Sequence, residues 1–196
     1  QDIPGERPVR YRSFGIGLDG PEDRALAERC LVGFNSGPPM MPSGYNNNMQ
    51  LFQTADHVVI LNEMVHDVRS VPLDDRPHLS GIRQWMGDPR GHWEGDTLVV
   101  ETKNFTGKTS SFDPAATFGL GTGETLNLTE RFTRLDEDTL LYEYTVDDPN
   151  TFARPFTVAL PMQKLDQPVF EYACHEGNYG LLNILRGARV DEARQP

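Results

Sequence analysis

The chain has 196 residues, a length that suits one domain with a sizeable core. Apolar residues make up only 37% and turn formers are frequent, with 18 Gly and 15 Pro, which favours an all-β domain with long loops over a helical bundle. The formal net charge of -11, with no run of Lys or Arg, argues against nucleic-acid binding. No apolar segment approaches the ~20 residues that a membrane-spanning helix needs.

Residues 1–19 lack sustained periodicity, so we expect an extended arm ahead of a single domain at 20–196. Pro21 comes directly after an Asp-Gly turn, and two acidic residues come directly after Pro21. This arrangement predicts a short helix that runs to about Cys30. The next segment, GFNSGPPMMPSGYNNN, is a turn-rich loop. It is long for a compact domain, and long ordered loops are often functional.

Two hairpins are predicted in the middle of the chain. The first lies between Met49 and Val71, with MQLFQT and HVVILNEMVHDVRSV as its strands. Its second strand is apolar on both faces, which favours a central position in the sheet. In the second hairpin, a Glu-Gly-Asp turn connects Trp93 to the strand at 97–102.

Residues 124–160 alternate apolar and polar side chains through three segments, which predicts a three-stranded antiparallel meander. One face is apolar apart from two charges, Glu130 and Arg154, on the outer strands. The middle strand carries Tyr142 and Tyr144 on that same face. A buried charge is tolerated only when it is paired, so we expect an inward-facing ion pair between Glu130 and Arg154.

The remaining elements complete an all-β prediction. Val169 to His175 is expected to add a strand, and Tyr179 to Arg189 a terminal helix. About eight strands joined mostly by short hairpins indicate an up-and-down antiparallel barrel of lipocalin or calycin type, or a strongly curved sheet, with short helices near both ends. A sandwich is the alternative. An eight-stranded barrel has room for side chains or one small ligand.

The chain begins with Gln1 and contains two cysteines, Cys30 and Cys174. We interpret it as a processed chain exported to the periplasm or the extracellular space. In such a compartment the pair favours a disulfide, which would stabilise the fold by roughly 4 kcal/mol. The alternative is two free buried thiols in a cytosolic protein.

Several sequence blocks carry a resemblance: GPEDRALAERC, WMGDPRGHWEGDTLVVETKNF, ERFTRLDEDTLLYEYTVDDPNTFARPF and YACHEGNYG. Through them, residues 20–189 resemble a family of uncharacterised exported bacterial proteins. The resemblance implies bacterial export and brings no catalytic or binding residues with it. Members of that family usually have a longer region ahead of the GPEDR block, so this chain is expected to be a short form or to have lost a segment by processing.

Four residues are predicted to be catalytic. His175 and Glu176 form the densest polar cluster, and these residue types exchange protons near neutral pH. Glu63 or His66, from the facing hairpin, is expected to help them. Glu63, His66 and Arg69 cannot all point inward along a regular strand unless an irregularity intervenes. The structural alternative for Glu63 is an ion pair that closes the barrel end.

The substrate is predicted to contact six further residues: Glu130, Arg154, Tyr142, Tyr144, Asn178 and Arg69. No cofactor or metal is predicted. A mononuclear metal site built from His66, His175 and a carboxylate is an alternative that nothing in the spacing demands.

These observations lead to one hypothesis and two alternatives. The hypothesis is a cofactor-independent acid–base enzyme, a hydrolase or lyase, that processes a small molecule in the barrel mouth. The first alternative is a non-catalytic carrier of a small ligand. The second is a structural subunit that self-associates or is completed by an N-terminal segment from a partner chain.

Overall fold

The structure of the protein, a computed structural model, describes residues 18–107 and 124–194. The arm predicted at 1–19 lies outside the described residues except for its last two positions. Eight strands and one α-helix are found in the described part. They are β1 (Met49–Gln53), β2 (His57–Asn62), β3 (Val68–Pro72), β4 (Asp88–Glu94), β5 (Thr97–Lys103), β6 (Asn127–Arg134), β7 (Thr139–Asp147), β8 (Phe156–Gln163) and α1 (Tyr179–Glu192).

The strands form two antiparallel sheets, one of three strands in the order β1-β2-β3 and one of five in the order β4-β5-β6-β7-β8. The all-β prediction is therefore confirmed. The predicted meander is β6 to β8, and its alternation sets the faces: Leu128, Glu130 and Phe132 are buried in β6, whereas Asn127 is exposed. Glu130 is paired in register with Tyr144.

One apolar core is shared by the two sheets, because both contribute buried side chains to a single cluster. The three-stranded sheet supplies Val58, Ile60 and Val71. The five-stranded sheet supplies Leu98, Val100, Leu128, Phe132, Tyr142, Tyr144 and Val146. The two sheets therefore belong to one domain core.

A lipocalin-like barrel is not what the structure shows, because the described strands do not close into one ladder. The prediction assumed hairpins between most neighbours, but loop 73–87 separates β3 from β4. The two strands still lie side by side: a Cβ on Gly91 would come within 2.8 Å of Val71 Cγ1. At the other end, β1 and β8 each pair on one side only, with β2 and β7 respectively.

The predicted helix from Pro21 to Cys30 is wrong, since a 3-10 helix ends at Asp23 and turns follow. The strand predicted for Val169 to His175 is also wrong, because this segment is irregular and ends in a turn. The terminal helix is confirmed as α1. No described helix is long and apolar enough to cross a membrane.

The disulfide between Cys30 and Cys174 is confirmed, with its Cα atoms 5.8 Å apart. It links the N-terminal turns to the segment ahead of α1. Asn178 Nδ2 also donates to the Glu28 carbonyl at 2.7 Å, and Arg189 donates to the carbonyls of Leu18 and Asp19. The two ends of the described chain are therefore fastened to each other.

Candidate functional site

A buried chain of hydrogen bonds joins the two sheets to the loop that follows Cys30. Arg69 of β3 donates through its two terminal nitrogens to the two carboxylate oxygens of Glu130 of β6, at 2.5 and 2.9 Å. The Tyr142 hydroxyl of β7 donates to Glu130 Oε1 at 2.7 Å and accepts from the Met40 backbone N–H at 3.0 Å. The side chains of Arg69 and Glu130 are 3% and 0% exposed. The bidentate geometry offsets much of the cost of burying two charges, although Arg69 Nε is buried without a hydrogen-bond partner among the described residues.

Arg69 reaches this position because the chain changes face between β2 and β3. A 3-10 turn, Met64–His66, separates the strands, and Val65 and His66 have φ values of 60° and 47°. After the turn Arg69 pairs in register with Ile60 and shares its buried face. The strand is therefore irregular here, but His66 is exposed, so Glu63, His66 and Arg69 do not all point inward.

Burial perturbs the titratable groups around this network. Burial by itself lowers the pKa of the Arg69 guanidinium, but the nearby Glu130 carboxylate raises it. Together these effects leave the pKa of Arg69 above its ordinary value. Burial raises the pKa of the Tyr142 hydroxyl well above its ordinary value. Burial also raises the pKa of the Asp67 carboxyl, against hydrogen bonds from Ser36 and the Gly33 N–H that lower it.

The predicted pairing of Glu130 with Arg154 is wrong. Residues 148–155 form a turn in which the Asp148 carboxylate accepts from the Thr151 hydroxyl at 2.7 Å. Because β8 begins only at Phe156, Arg154 falls outside its alternation and is exposed. Of the predicted substrate-binding residues, Glu130, Arg69, Tyr142 and Tyr144 are buried in the core.

Three of the four predicted catalytic residues are exposed, and one is buried. His175 and Glu176 are exposed in the turn after the disulfide. His66 is exposed, and its Nδ1 lies 3.1 Å from the Tyr172 carbonyl oxygen. Glu63 is buried and accepts from the Asn48 amide at 2.7 Å. The catalytic roles of these residues stay predictions.

One further predicted position, Asn178, has a structural role. Asn178 caps α1, since its side-chain oxygen accepts from the Leu181 N–H at 3.3 Å.

For metals, the described residues contain no group of three or more His, Cys, Asp or Glu side chains suited to hold an ion. The alternative site from His66 and His175 is thus not assembled within the described part of the chain.

A cleft of about 790 Å³ lies between the edge strands β1 and β8, and we call it the β1/β8 cleft. Its walls are β1, β8, the loop at 35–48, the β6–β7 hairpin and the segment at 164–170. The larger apolar lining residues are Met40, Met41, Met49, Leu51, Leu140, Leu160, Met162, Leu165, Val169 and Phe170. The amide-bearing lining residues are Asn35, Asn46, Asn47, Asn48, Gln50, Asn62, Gln163 and Gln167.

The loop wall of the cleft is held in place by its own side chains. Asn35 Nδ2 donates to the Asn46 carbonyl at 2.9 Å, and Asn47 Nδ2 to the Ser43 carbonyl at 2.8 Å. Asn62 Nδ2, from β2, donates to the Ser36 carbonyl at 3.1 Å. Together with the bond from Met40 to Tyr142, these contacts form the wall without help from a ligand.

All charged lining residues lie at the hairpin end of the cleft: Arg134, Asp136, Glu137, Asp138 and Lys164. Arg134 donates from Nε to the Asp136 carbonyl at 3.0 Å, and Lys164 Nζ lies 3.8 Å from Asp138 Oδ1. The sequence argument missed the cleft. Its one available signal was the long turn-rich loop, which supplies a wall of the site.

Comparison with protein-family models, with curated proteins and with solved structures finds no match to this chain.

Proposed function

We propose that this protein binds a small organic molecule in the β1/β8 cleft without transforming it. The observation that carries the proposal is the cleft itself, whose volume of about 790 Å³ falls within the ~300–1,000 Å³ usual for small-molecule sites. Ten of its 28 lining residues are large and apolar, and eight carry side-chain amides. This combination provides contact area and a few orienting hydrogen bonds, as ligand sites generally do.

The hydrogen-bonded loop wall indicates that the cleft is a built binding site and not a gap left by poor packing. Asn35 and Asn47 fix the loop, and Met40 is tied to the buried Tyr142 hydroxyl. A wall that is already ordered spares a ligand the entropic cost of ordering it. Four methionines among the lining residues add adaptable, polarisable surface.

The position of the acid–base candidates favours carriage over catalysis. A general acid or base must lie within hydrogen-bonding reach of the reacting group. His175, Glu176, Glu63 and His66 are all outside the lining of the β1/β8 cleft. The lining carboxylates, Asp136, Glu137 and Asp138, lie on the hairpin turn and are exposed.

We further propose that the protein works in an exported, oxidising compartment. The disulfide between Cys30 and Cys174 supports this, because such bonds persist mainly outside reducing cytosol.

The proposal is tested by titrating the full chain with N-phenylnaphthylamine, an uncharged dye that fluoresces in apolar sites. Phe170 lines the cleft and is 63% exposed, so Phe170→Ala removes ligand contact with little loss of core packing. We expect about tenfold weaker binding, since roughly 1.4 kcal/mol of apolar contact is lost.

The matched control is Phe52→Ala, because Phe52 is 45% exposed on β1 but does not line the cleft. It should bind the dye like the wild-type protein. Absence of saturable dye binding, or an equal loss in both variants, would contradict the proposal.

A further inference from the structure

We infer that the ligand of the β1/β8 cleft is an uncharged amphipathic molecule, with an apolar body and hydroxyl or amide groups. This inference rests on the proposed function and adds the chemical class of the ligand. Three features of the cleft support it: the state of its charges, the free amides on its walls, and the surface between them.

Both cations in the cleft lining have partners within the protein. The lining contains two cationic side chains, Arg134 and Lys164, against three carboxylates. Arg134 is occupied by the carbonyls of Asp136 and Glu137, at 3.0 and 3.3 Å. Lys164 lies near Asp138. A carboxylate, sulfate or phosphate ligand would therefore lose its hydration without gaining an unpaired cation in the lining.

A cationic ligand would gain little affinity from the lining carboxylates. The carboxylates are confined to the exposed hairpin turn, where water and salt screen their attraction. Asp136 also accepts from the Asp138 N–H at 2.9 Å, and Asp138 lies near Lys164. The walls away from this turn carry no charged side chain among the lining residues.

Two lining amides are available to a ligand. The side chains of Asn46 and Gln167 make no hydrogen bond with other described residues, whereas those of Asn47 and Asn48 are occupied by the protein. Each free amide offers both donors and an acceptor, which complements hydroxyl and amide groups without a net charge.

The apolar surface is suited to the body of such a molecule. Met49 and Leu51 of β1 lie on one side, and Leu160 and Met162 of β8 on the other, all partly buried. Burial of an apolar ligand surface there supplies affinity, while the amides orient the polar groups.

The test compares two dyes that share an aromatic framework, uncharged N-phenylnaphthylamine and anionic anilinonaphthalene sulfonate. The wild-type protein should bind the uncharged dye at least about tenfold more tightly, because the sulfonate must leave water without a partner. Gln167→Lys places a cation in the cleft at an exposed position of the segment at 164–170. It should raise the affinity for the sulfonate relative to the uncharged dye by about threefold to fivefold.

Gln53→Lys is the control, since Gln53 is also an exposed glutamine but does not line the cleft. It should leave the ratio of the two affinities unchanged. If the wild-type protein binds both dyes equally and Phe170→Ala weakens both, the ligand class is wrong although the binding function stands. If neither dye binds, the proposed function fails with it.

Discussion

Glu130 has no contact with solvent, so its charge depends on two partners, the Arg69 guanidinium and the Tyr142 hydroxyl. Two charges out of water gain little net stability over an apolar pair of the same shape, but either one alone is costly. The Arg69–Glu130 pair therefore serves mainly to position the strands, because it joins β3 to β6. Through Tyr142 and the Met40 N–H it also fixes a wall of the β1/β8 cleft.

Removal of one partner of this pair should therefore be strongly destabilising. Arg69→Met leaves the Glu130 carboxylate buried and unpaired, and we expect the free energy of unfolding to fall by about 3–5 kcal/mol. Arg154→Met is the control, since Arg154 is exposed, and should change it by less than about 0.5 kcal/mol. Chemical denaturation measures both. Equal effects of the two substitutions would contradict the assignment of Arg69 as the partner.

The Tyr142 hydroxyl should make stability fall at alkaline pH. Burial raises its pKa in the folded protein above the ordinary value of 10.0. The unfolded chain therefore loses this proton first, and the stabilisation that is complete below about pH 10 is lost as the pH rises towards the folded pKa. The loss approaches about 1.4 kcal/mol per pH unit.

Tyr142→Phe should flatten this alkaline decline, although it lowers stability at neutral pH by about 1–3 kcal/mol through lost hydrogen bonds. Denaturation curves between about pH 8 and pH 11 measure the free energy of unfolding of both proteins. This range brackets the ordinary pKa of tyrosine. Tyr144→Phe is the comparison, because burial also raises the pKa of Tyr144 but without the Glu130 contact. A wild-type slope retained in Tyr142→Phe would argue against a buried neutral hydroxyl.

At the level of elements, alternation of side chains predicted the meander well. Leu128 and Phe132 of β6 are buried as expected, because a period of two follows from strand geometry alone. The third strand was predicted to begin too early, since the Asp148 turn takes up the residues before Phe156. Alternation alone does not show where a turn ends, and this error wrongly placed Arg154 in the sheet.

The change of face between β2 and β3 was harder to predict. HVVILNEMVHDVRSV contains no Gly or Pro, yet Val65 and His66 adopt positive φ in the middle of it. A β-branched residue rarely adopts this conformation, so the surrounding structure must impose it. Local sequence therefore identified Arg69 as a candidate but not as the partner of Glu130.

At the scale of the whole molecule, the all-β class was predicted correctly but closure was not. The predicted number of eight strands agrees only because two errors cancel: one predicted strand is β2 and β3, and the strand predicted at 169–175 is irregular. Whether two strands pair depends on long-range packing, and here β3 and β4 touch without a ladder while the cleft separates β1 from β8. The cleft combines residues from loop, edge strands and hairpin that are distant in sequence. Periodicity carries no information about such an assembly, and only the long loop indicated it.

The central claim is that the β1/β8 cleft is the ligand site, and NMR tests it most directly. Amide correlation spectra of the isotope-labelled full chain are recorded during titration with N-phenylnaphthylamine. The account predicts that the largest shift changes fall on β1, β8 and the loop at 35–48, with Gln50 and Met162 among the affected residues. Changes centred instead on His175 and Glu176, or spread evenly over the chain, would contradict it.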